Sequence, residues 1–145
     1  MADTIRAELH SLNRDLSFAA KGDSGHWLMI DSKVENGGNA GACNPSELLL
    51  QALGACTGMD TLSILKKKRT AFSHLDIFIE GDKRDEHPRI FTHIRLRFVL
   101  HSNGGDKALQ DLQRAVELSY DKYCTIANML KSSADIRYET GIIDG

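Results

Sequence analysis

The sequence has only three cysteines, no excess of positive charge and no apolar run approaching ~20 residues. A chain of 145 residues buries roughly 70% of the surface that it would expose when unfolded, so its core needs no disulfide framework. Lysine plus arginine number 18 against 20 acidic residues. This balance argues against nucleic acid as the main partner, because phosphate binding requires a basic face. The missing apolar run predicts no membrane span and no membrane partner.

The N-terminus lacks the basic segment and the apolar stretch that mark a signal peptide. We therefore expect a cytoplasmic protein, whose cysteines are reduced thiols unless one of them is reactive. Apolar residues make up 41% of the chain and charged residues 26%, which is typical of a globular protein with a core. The length favours a single domain, residues 1–145.

Hydrophobic periodicity predicts an α+β fold with the element order β-β-β-α-β-β-α-α-β. The strongest signal begins at Asn44, a favoured N-cap, followed by Pro45 at the first helical position. The helix is apolar nearly all round as far as Leu65, which indicates a buried helix, and it ends near the basic run at 66–69. The predicted strands are 5–10, 16–20, 26–31, 75–80, 90–100 and 135–139, and two further helices begin at 106 and 125. We expect strands 75–80 and 90–100 to form a hairpin through a polar connection at 81–89, and the alternation in the second strand puts residues 90, 92, 94, 96, 98 and 100 on one face, which is apolar apart from Thr92.

The three cysteines are the candidate nucleophiles of the chain. Cys56 lies in the middle of the long helix, where a free cysteine is most often a small core side chain. Cys124 lies at the junction of the last two helices, and a helix N-terminus can lower the pKa of a thiol and make it reactive. Cys43 directly precedes the helix cap, where a loop cysteine is more often incidental. Position alone leaves the role of each thiol open.

Other kinds of catalytic or binding site find little support. The six histidines are scattered, without Cys-x₂-Cys or His-x₃-His spacing, so we expect no metal site. No Gly-x-Ser-x-Gly elbow follows a strand, which argues against a serine hydrolase. The glycine pairs at 37–38 and 104–105 do not extend into a phosphate loop, and we expect no cofactor.

Several segments of the sequence resemble a known family. Residues 44–56, NPSELLLQALGAC, resemble the central-helix signature of the OsmC/Ohr family of osmotically inducible and organic hydroperoxide resistance proteins. Residues 122–127, KYCTIA, resemble the second cysteine motif of that family, while Ser24–Gly25–His26 with Asp31 and residues 88–94 are similar to its YhfA-like branch. The resemblance implies an OsmC-like fold, with antiparallel sheets packed around a long central helix. It also implies an intertwined homodimer with active sites at the subunit interface.

The resemblance further implies a thiol-dependent peroxidase that reduces organic or inorganic hydroperoxides. Cys56 matches the peroxidatic cysteine and Cys124 the resolving cysteine, and a dithiol or thioredoxin-like reductant would regenerate them. The family's supporting carboxylate and arginine correspond to Glu47 and, in a loosely aligned turn, Arg14. The peroxidase members carry Glu directly after Asn-Pro, where this chain has Ser46. Each residue turns a helix by ~100°, so the Glu47 side chain leaves the helix in a different direction from a glutamate at position 46.

Two alternatives stand beside the peroxidase. The first is a non-enzymatic stress-response or ligand-binding protein that keeps the fold and holds an apolar ligand in its interface pocket. The second is a redox sensor that forms the disulfide but turns over slowly. A nearby arginine and an open pocket at Cys56 would favour the enzyme, and a dry apolar shell without a cation would favour the binding protein. A two-cysteine mechanism also requires Cα atoms within about 7 Å, directly or after a small rearrangement.

Overall fold

A computed structural model of the chain describes residues 3–145 and confirms the α+β class. Two short elements add to the predicted order, a 3₁₀ turn at Val34–Asn36 and a π-helical turn at Ser119–Tyr123. The chain clusters into two compact units, one up to Leu49 and one comprising residues 50–145, so the single-domain expectation stays a prediction. The main elements are β1 (Ala7–Ser11), β2 (Phe18–Gly22), β3 (Trp27–Ile30), α1 (Pro45–Lys67), β4 (His74–Lys83), β5 (Phe91–His101), α2 (Gly105–Leu118), α3 (Thr125–Leu130) and β6 (Asp135–Ile143).

The N-terminal unit contains the antiparallel sheet β1-β2-β3. The loop after β3 is organised by Asp31, a buried carboxylate that accepts backbone hydrogen bonds from Gly41 (3.0 Å), Ser32 (2.7 Å) and Asn39 (3.3 Å). These bonds, that of Gly41 foremost, hold the pKa of Asp31 below its usual value. The loop is therefore an ordered connection into α1, although no apolar periodicity predicts its path.

Helix α1 begins where the sequence predicts. The Asn44 side chain accepts a hydrogen bond from the Glu47 N–H (2.9 Å) and donates one to Glu47 Oε1 (3.1 Å), which completes a reciprocal cap. The expected all-round burial is wrong for the single chain, because the rest of one chain covers one face of the helix and Met59 remains 71% exposed. The buried face consists of Leu53, Gly54, Thr57, Gly58, Thr61 and Leu65.

By length and composition alone, α1 could also cross a membrane, although the sequence predicts no membrane span. The core helix of a globular domain passes the same test. The finding is therefore weak evidence for a membrane span.

The second sheet, β4-β5-β6, carries the core of the C-terminal unit. The apolar face predicted for β5 is confirmed, since Ile94, Leu96, Phe98 and Leu100 are all buried. Strand β4 extends to Lys83, so the hairpin connection is shorter than the predicted 81–89. Strands β4 and β5 pair in the expected antiparallel manner, whereas β6 lies parallel to β5. A parallel neighbour requires a crossover, and α2 and α3 provide it.

Close packing between α1 and this sheet depends on two glycines. A Cβ at Gly54 would overlap Ile79 Cδ1, and one at Gly58 would lie 2.7 Å from Ile77 Cδ1. Two glycines four residues apart on a helix lie on the same face. In the structure they admit the isoleucine side chains of β4, which places the middle of α1 directly over the sheet.

Candidate active site

Cys56, Asp60 and Cys124 converge at one point of the C-terminal unit. The two Sγ atoms and a carboxylate oxygen all lie within 4.8 Å of one another, and both cysteines are free thiols. Cys56 and Asp60 are four residues apart on α1, so they project from the same face of the helix. The structure thus brings together the two cysteines that the sequence singled out, although they are 68 positions apart (124 minus 56).

The π-helical turn between α2 and α3 positions Cys124. Its backbone N–H donates to the Ser119 carbonyl (2.7 Å), and its backbone is extended, as the residue before a helix should be. The Cys124 Sγ accepts a hydrogen bond from the Ala127 N–H (3.3 Å), so the sulfur itself caps α3. The Asn128 side-chain amide donates to the Cys124 carbonyl (2.8 Å). Single π-turns of this kind occur frequently at functional sites.

Burial controls the protonation of Cys124, which is fully buried. Desolvation raises the pKa of the Cys124 thiol to about 11, against the opposing effect of the Ala127 N–H, and the neighbouring Cys56 raises it further. A helix N-terminus can lower the pKa of a thiol, but here α3 has only six residues, and the cost of burying a charged sulfur outweighs the backbone N–H groups of Ala127 and Ile126. Cys124 is therefore a protonated thiol near neutral pH.

Cys56 has a different environment. It is half-buried, and the carboxylate of Asp60 lies beside it. The Ser119 hydroxyl donates to Asp60 Oδ2 (2.9 Å), which fixes that carboxylate toward the two thiols. Within residues 50–145, no basic side chain forms an ion pair with Asp60. Sequence reasoning missed Asp60, although its i+4 spacing from Cys56 on a predicted helix was an available signal.

The remaining predicted site residues lie in the N-terminal unit. Glu47 is exposed and caps α1 through Asn44, and Arg14 is exposed in the turn between β1 and β2. Cys43 is half-buried, and its carbonyl accepts a hydrogen bond from the Asp31 N–H (3.1 Å). Support of Cys56 by Glu47 and Arg14 stays a prediction.

A second polar cluster lies on the β4–β5 hairpin. The strand register pairs His74 with His101, and their rings stack with centroids 3.6 Å apart. Asp76 Oδ2 lies 2.7 Å from His101 Nε2 and 3.7 Å from His74 Nε2. Spacing along the chain suggested scattered histidines and no metal site, but pairing between strands brings possible ligands together at this cluster and at Cys56.

Comparison with known proteins identifies the family of this chain. The family described as OsmC-like protein matches residues 37–139, more than half of the chain and including both cysteines of the site. The chain belongs to the OsmC family. This membership confirms the resemblance that the two cysteine motifs carried, and it confirms the predicted fold.

Individual relatives of this OsmC-family protein support the assignment. It is 35% identical to Protein YhfA of Escherichia coli (strain K12) over 130 residues, which are 88% of this chain and 91% of YhfA. A hypothetical protein from Aquifex aeolicus VF5 has a TM-score of 0.79 at 32% identity, covering 99% of this chain and 100% of its own. An organic hydroperoxide resistance protein OsmC from Legionella pneumophila has a TM-score of 0.69 at 17% identity, with 99% of each chain covered. The last likeness is one of fold.

Proposed function

We propose that this OsmC-family protein is a thiol-dependent peroxidase that reduces small organic or inorganic hydroperoxides through a Cys56–Cys124 disulfide. The observation that carries the proposal is the approach of two free thiols to within 4.8 Å, one half-buried and one buried. The family includes proteins described as conferring organic hydroperoxide resistance, which supports a redox or stress role. We place this activity in the cytoplasm, where a dithiol or thioredoxin-like reductant is available.

The chemistry requires different roles of the two sulfurs. The Cys56 thiolate attacks one peroxide oxygen and becomes a sulfenic acid, while the O–O bond breaks and the other oxygen leaves, protonated, as an alcohol or water. The Cys124 thiol then attacks the Cys56 sulfur, loses its proton and displaces the hydroxyl as water. A dithiol reduces the resulting disulfide by thiol–disulfide exchange and closes the cycle. The high pKa of Cys124 suits this order, because a protonated thiol does not compete for the peroxide.

Disulfide formation needs only a local movement. An S–S bond is about 2.05 Å long, so sulfurs now within 4.8 Å must close by at most about 2.8 Å. Cys124 lies between a π-helical turn and the six-residue α3, both short elements. A rotation of the Cys124 side chain, with loss of its bond from the Ala127 N–H, supplies motion of this kind.

Asp60 favours the redox sensor as a second candidate. A carboxylate within 4.8 Å of the Cys56 sulfur repels the negative charge that develops on the leaving oxygen as the peroxide bond breaks, which slows the attack. Glu47 and Arg14 could restore the rate only if they reach Cys56. A single oxidation without sustained turnover would identify the sensor.

We also propose that the protein is a homodimer that buries the exposed side of α1. An apolar groove of about 390 Å³ runs between α1 and β4, bordered by Met59 and by Leu62, Leu75 and Ile77. Exposed apolar surface of this kind marks an interaction site. A second copy covering it would explain why the helix is apolar on a face that the single chain leaves open.

Matched cysteine variants test the peroxidase. Cys56→Ser should abolish hydroperoxide consumption, because a serine hydroxyl is un-ionised near neutral pH and attacks an O–O bond poorly. Cys124→Ser should react once and stop as a sulfenic acid that dimedone traps, then drift to sulfinic acid with excess peroxide. Cys43→Ser is the control and should match the parent. The measurement is hydroperoxide consumed per subunit, with and without dithiol, using cumene hydroperoxide and hydrogen peroxide. Parental consumption by Cys56→Ser would show that the enzyme proposal is wrong and leave the ligand-binding alternative.

A further inference from the structure

The geometry points to a metal ligand set in the same cluster: we propose that the reduced protein binds one Zn²⁺ through Cys56 Sγ, Cys124 Sγ and an Asp60 carboxylate oxygen. Thiolate and carboxylate are both established zinc ligands, and three protein ligands leave a fourth position open to water or another small ligand. The binding itself stands on the structure alone. Only its consequence for oxidation, given below, rests on the proposed peroxidase.

Zinc binding requires a smaller movement of the two sulfur atoms than disulfide formation does. Tetrahedral zinc with Zn–S bonds of about 2.3 Å places two sulfurs about 3.8 Å apart. The sulfurs lie within 4.8 Å, so they need to close by at most about 1 Å. The disulfide requires up to about 2.8 Å. The cluster is thus nearly preorganised for a cation between its three ligand atoms.

Neighbouring groups orient each ligand. Cys56 and Asp60 share one face of α1, a rigid helix of 23 residues. Ser119, fully buried, donates its hydroxyl to Asp60 Oδ2 at 2.9 Å, which resembles the outer hydrogen bonds that support metal-bound carboxylates. The Ala127 N–H donates to the Cys124 sulfur at 3.3 Å and fixes its direction. Asp60 and Cys124 are therefore each oriented by a neighbouring hydrogen-bond donor.

The charge of the ligand set matches a divalent cation. Zinc binding would displace the thiol protons, so two thiolates and one carboxylate would carry three negative charges, and within residues 50–145 no basic side chain forms an ion pair with Asp60. A divalent cation bound between the three ligand atoms compensates these negative charges. Soft sulfur ligands select zinc over magnesium or calcium, which prefer sets of oxygen ligands.

The histidine cluster on the hairpin fits a metal less well. The rings of His74 and His101 stack with an interplanar angle of 21°, so their nitrogen lone pairs lie in nearly parallel planes and do not point into the space between the rings. The His74 side chain is 57% exposed, so water competes for any cation there. This cluster is the rival site that an experiment must separate from the thiol site.

Zinc would connect the site to oxidation if the proposed peroxidase holds. Two zinc-bound thiolates, one hydroperoxide and two protons yield a disulfide, an alcohol, water and free Zn²⁺. The two sulfurs lose two electrons, and the peroxide oxygens gain them. Because a disulfide is a far weaker ligand than two thiolates, oxidation would expel the metal. Zinc would thus protect the reduced pair and leave as it is oxidised.

The binding test uses reduced, chelator-stripped protein under anaerobic conditions. Co²⁺ should bind once per chain with a thiolate-to-cobalt charge-transfer band, and Zn²⁺ should displace it. Cys56→Ser and Cys124→Ser should lose the band, and Asp60→Asn should weaken zinc binding by at least about tenfold. Matched controls Cys43→Ser, Asp106→Asn and His74→Gln should retain the parental band and affinity.

Several outcomes would overturn the inference. These are the absence of a cobalt–thiolate band in folded parent protein, parental zinc affinity in Asp60→Asn, or loss of binding in His74→Gln with retention in the cysteine variants. Circular dichroism of each variant identifies any that fails to fold, and the isosteric Asp60→Asn then decides. Hydroperoxide consumption is measured separately with chelator present. A peroxidase that binds no zinc overturns only this inference, and zinc binding without hydroperoxide consumption overturns only the proposed function.

Discussion

Raising the pH should destabilise this protein through Cys124. The folded state holds the thiol at a pKa of about 11, whereas the unfolded chain returns it to its ordinary value of 9.0. Because the folded pKa is the higher, the stabilisation is complete below pH 9 and is lost as the pH rises toward 11. The perturbation is therefore alkaline pH, compared between the parent and Cys124→Ser, whose hydroxyl does not ionise in this range.

The expected magnitude follows from the two pKa values. The linkage relation gives a loss in unfolding free energy of less than about 1 kcal/mol by pH 9 and of about 2 kcal/mol by pH 11. Tyr120 and Tyr138 also have pKa values raised by burial, and they contribute in the same pH range. Both tyrosines are present in the parent and in Cys124→Ser. The difference between the two proteins therefore isolates the thiol.

Urea unfolding at pH 7, 9 and 11 provides the measurement, with reductant and chelator present and one fixed protein concentration. The parent should lose about 2 kcal/mol more than Cys124→Ser between pH 7 and 11. Equal pH dependence in the two proteins would refute the assignment of a buried, protonated Cys124. A parent that gains stability with pH would show instead that the folded state favours the thiolate.

Two further outcomes are expected. Leu53→Ala should lower the unfolding free energy by about 2–5 kcal/mol, because Leu53 is fully buried in the core. The control Leu16→Ala, at an exposed position, should change it by about zero. A loss in Leu53→Ala no larger than that of the control would contradict the packing described for α1. Sedimentation should give about twice the chain mass of 16.0 kDa. Met59→Glu, which places a charge on the exposed side of α1, should shift the protein toward monomer. A parent protein that is entirely monomeric at micromolar concentration would count against the dimer.

Local features were readable from the sequence. Asn44 and Pro45 predicted the start of α1, and the alternation in β5 predicted its buried face, because capping and side-chain periodicity depend on neighbouring residues. The cysteine motifs around Cys56 and Cys124 predicted the family, which the comparison confirms. Each of these signals depends on a few neighbouring residues, so it can be recognised without knowledge of the fold.

Tertiary structure decided the chemistry around the two thiols. Asp60 belongs to the site because the π-helical turn places Cys124 beside α1. His74 lies next to His101 because of the register of the paired strands. The direction of the Cys124 pKa shift likewise depends on burial, a property of everything packed around the sulfur. The sequence by itself determined the fold class and the two cysteines. Which charges, donors and possible metal ligands surround them depends on contacts between distant segments, and only the folded chain defines those.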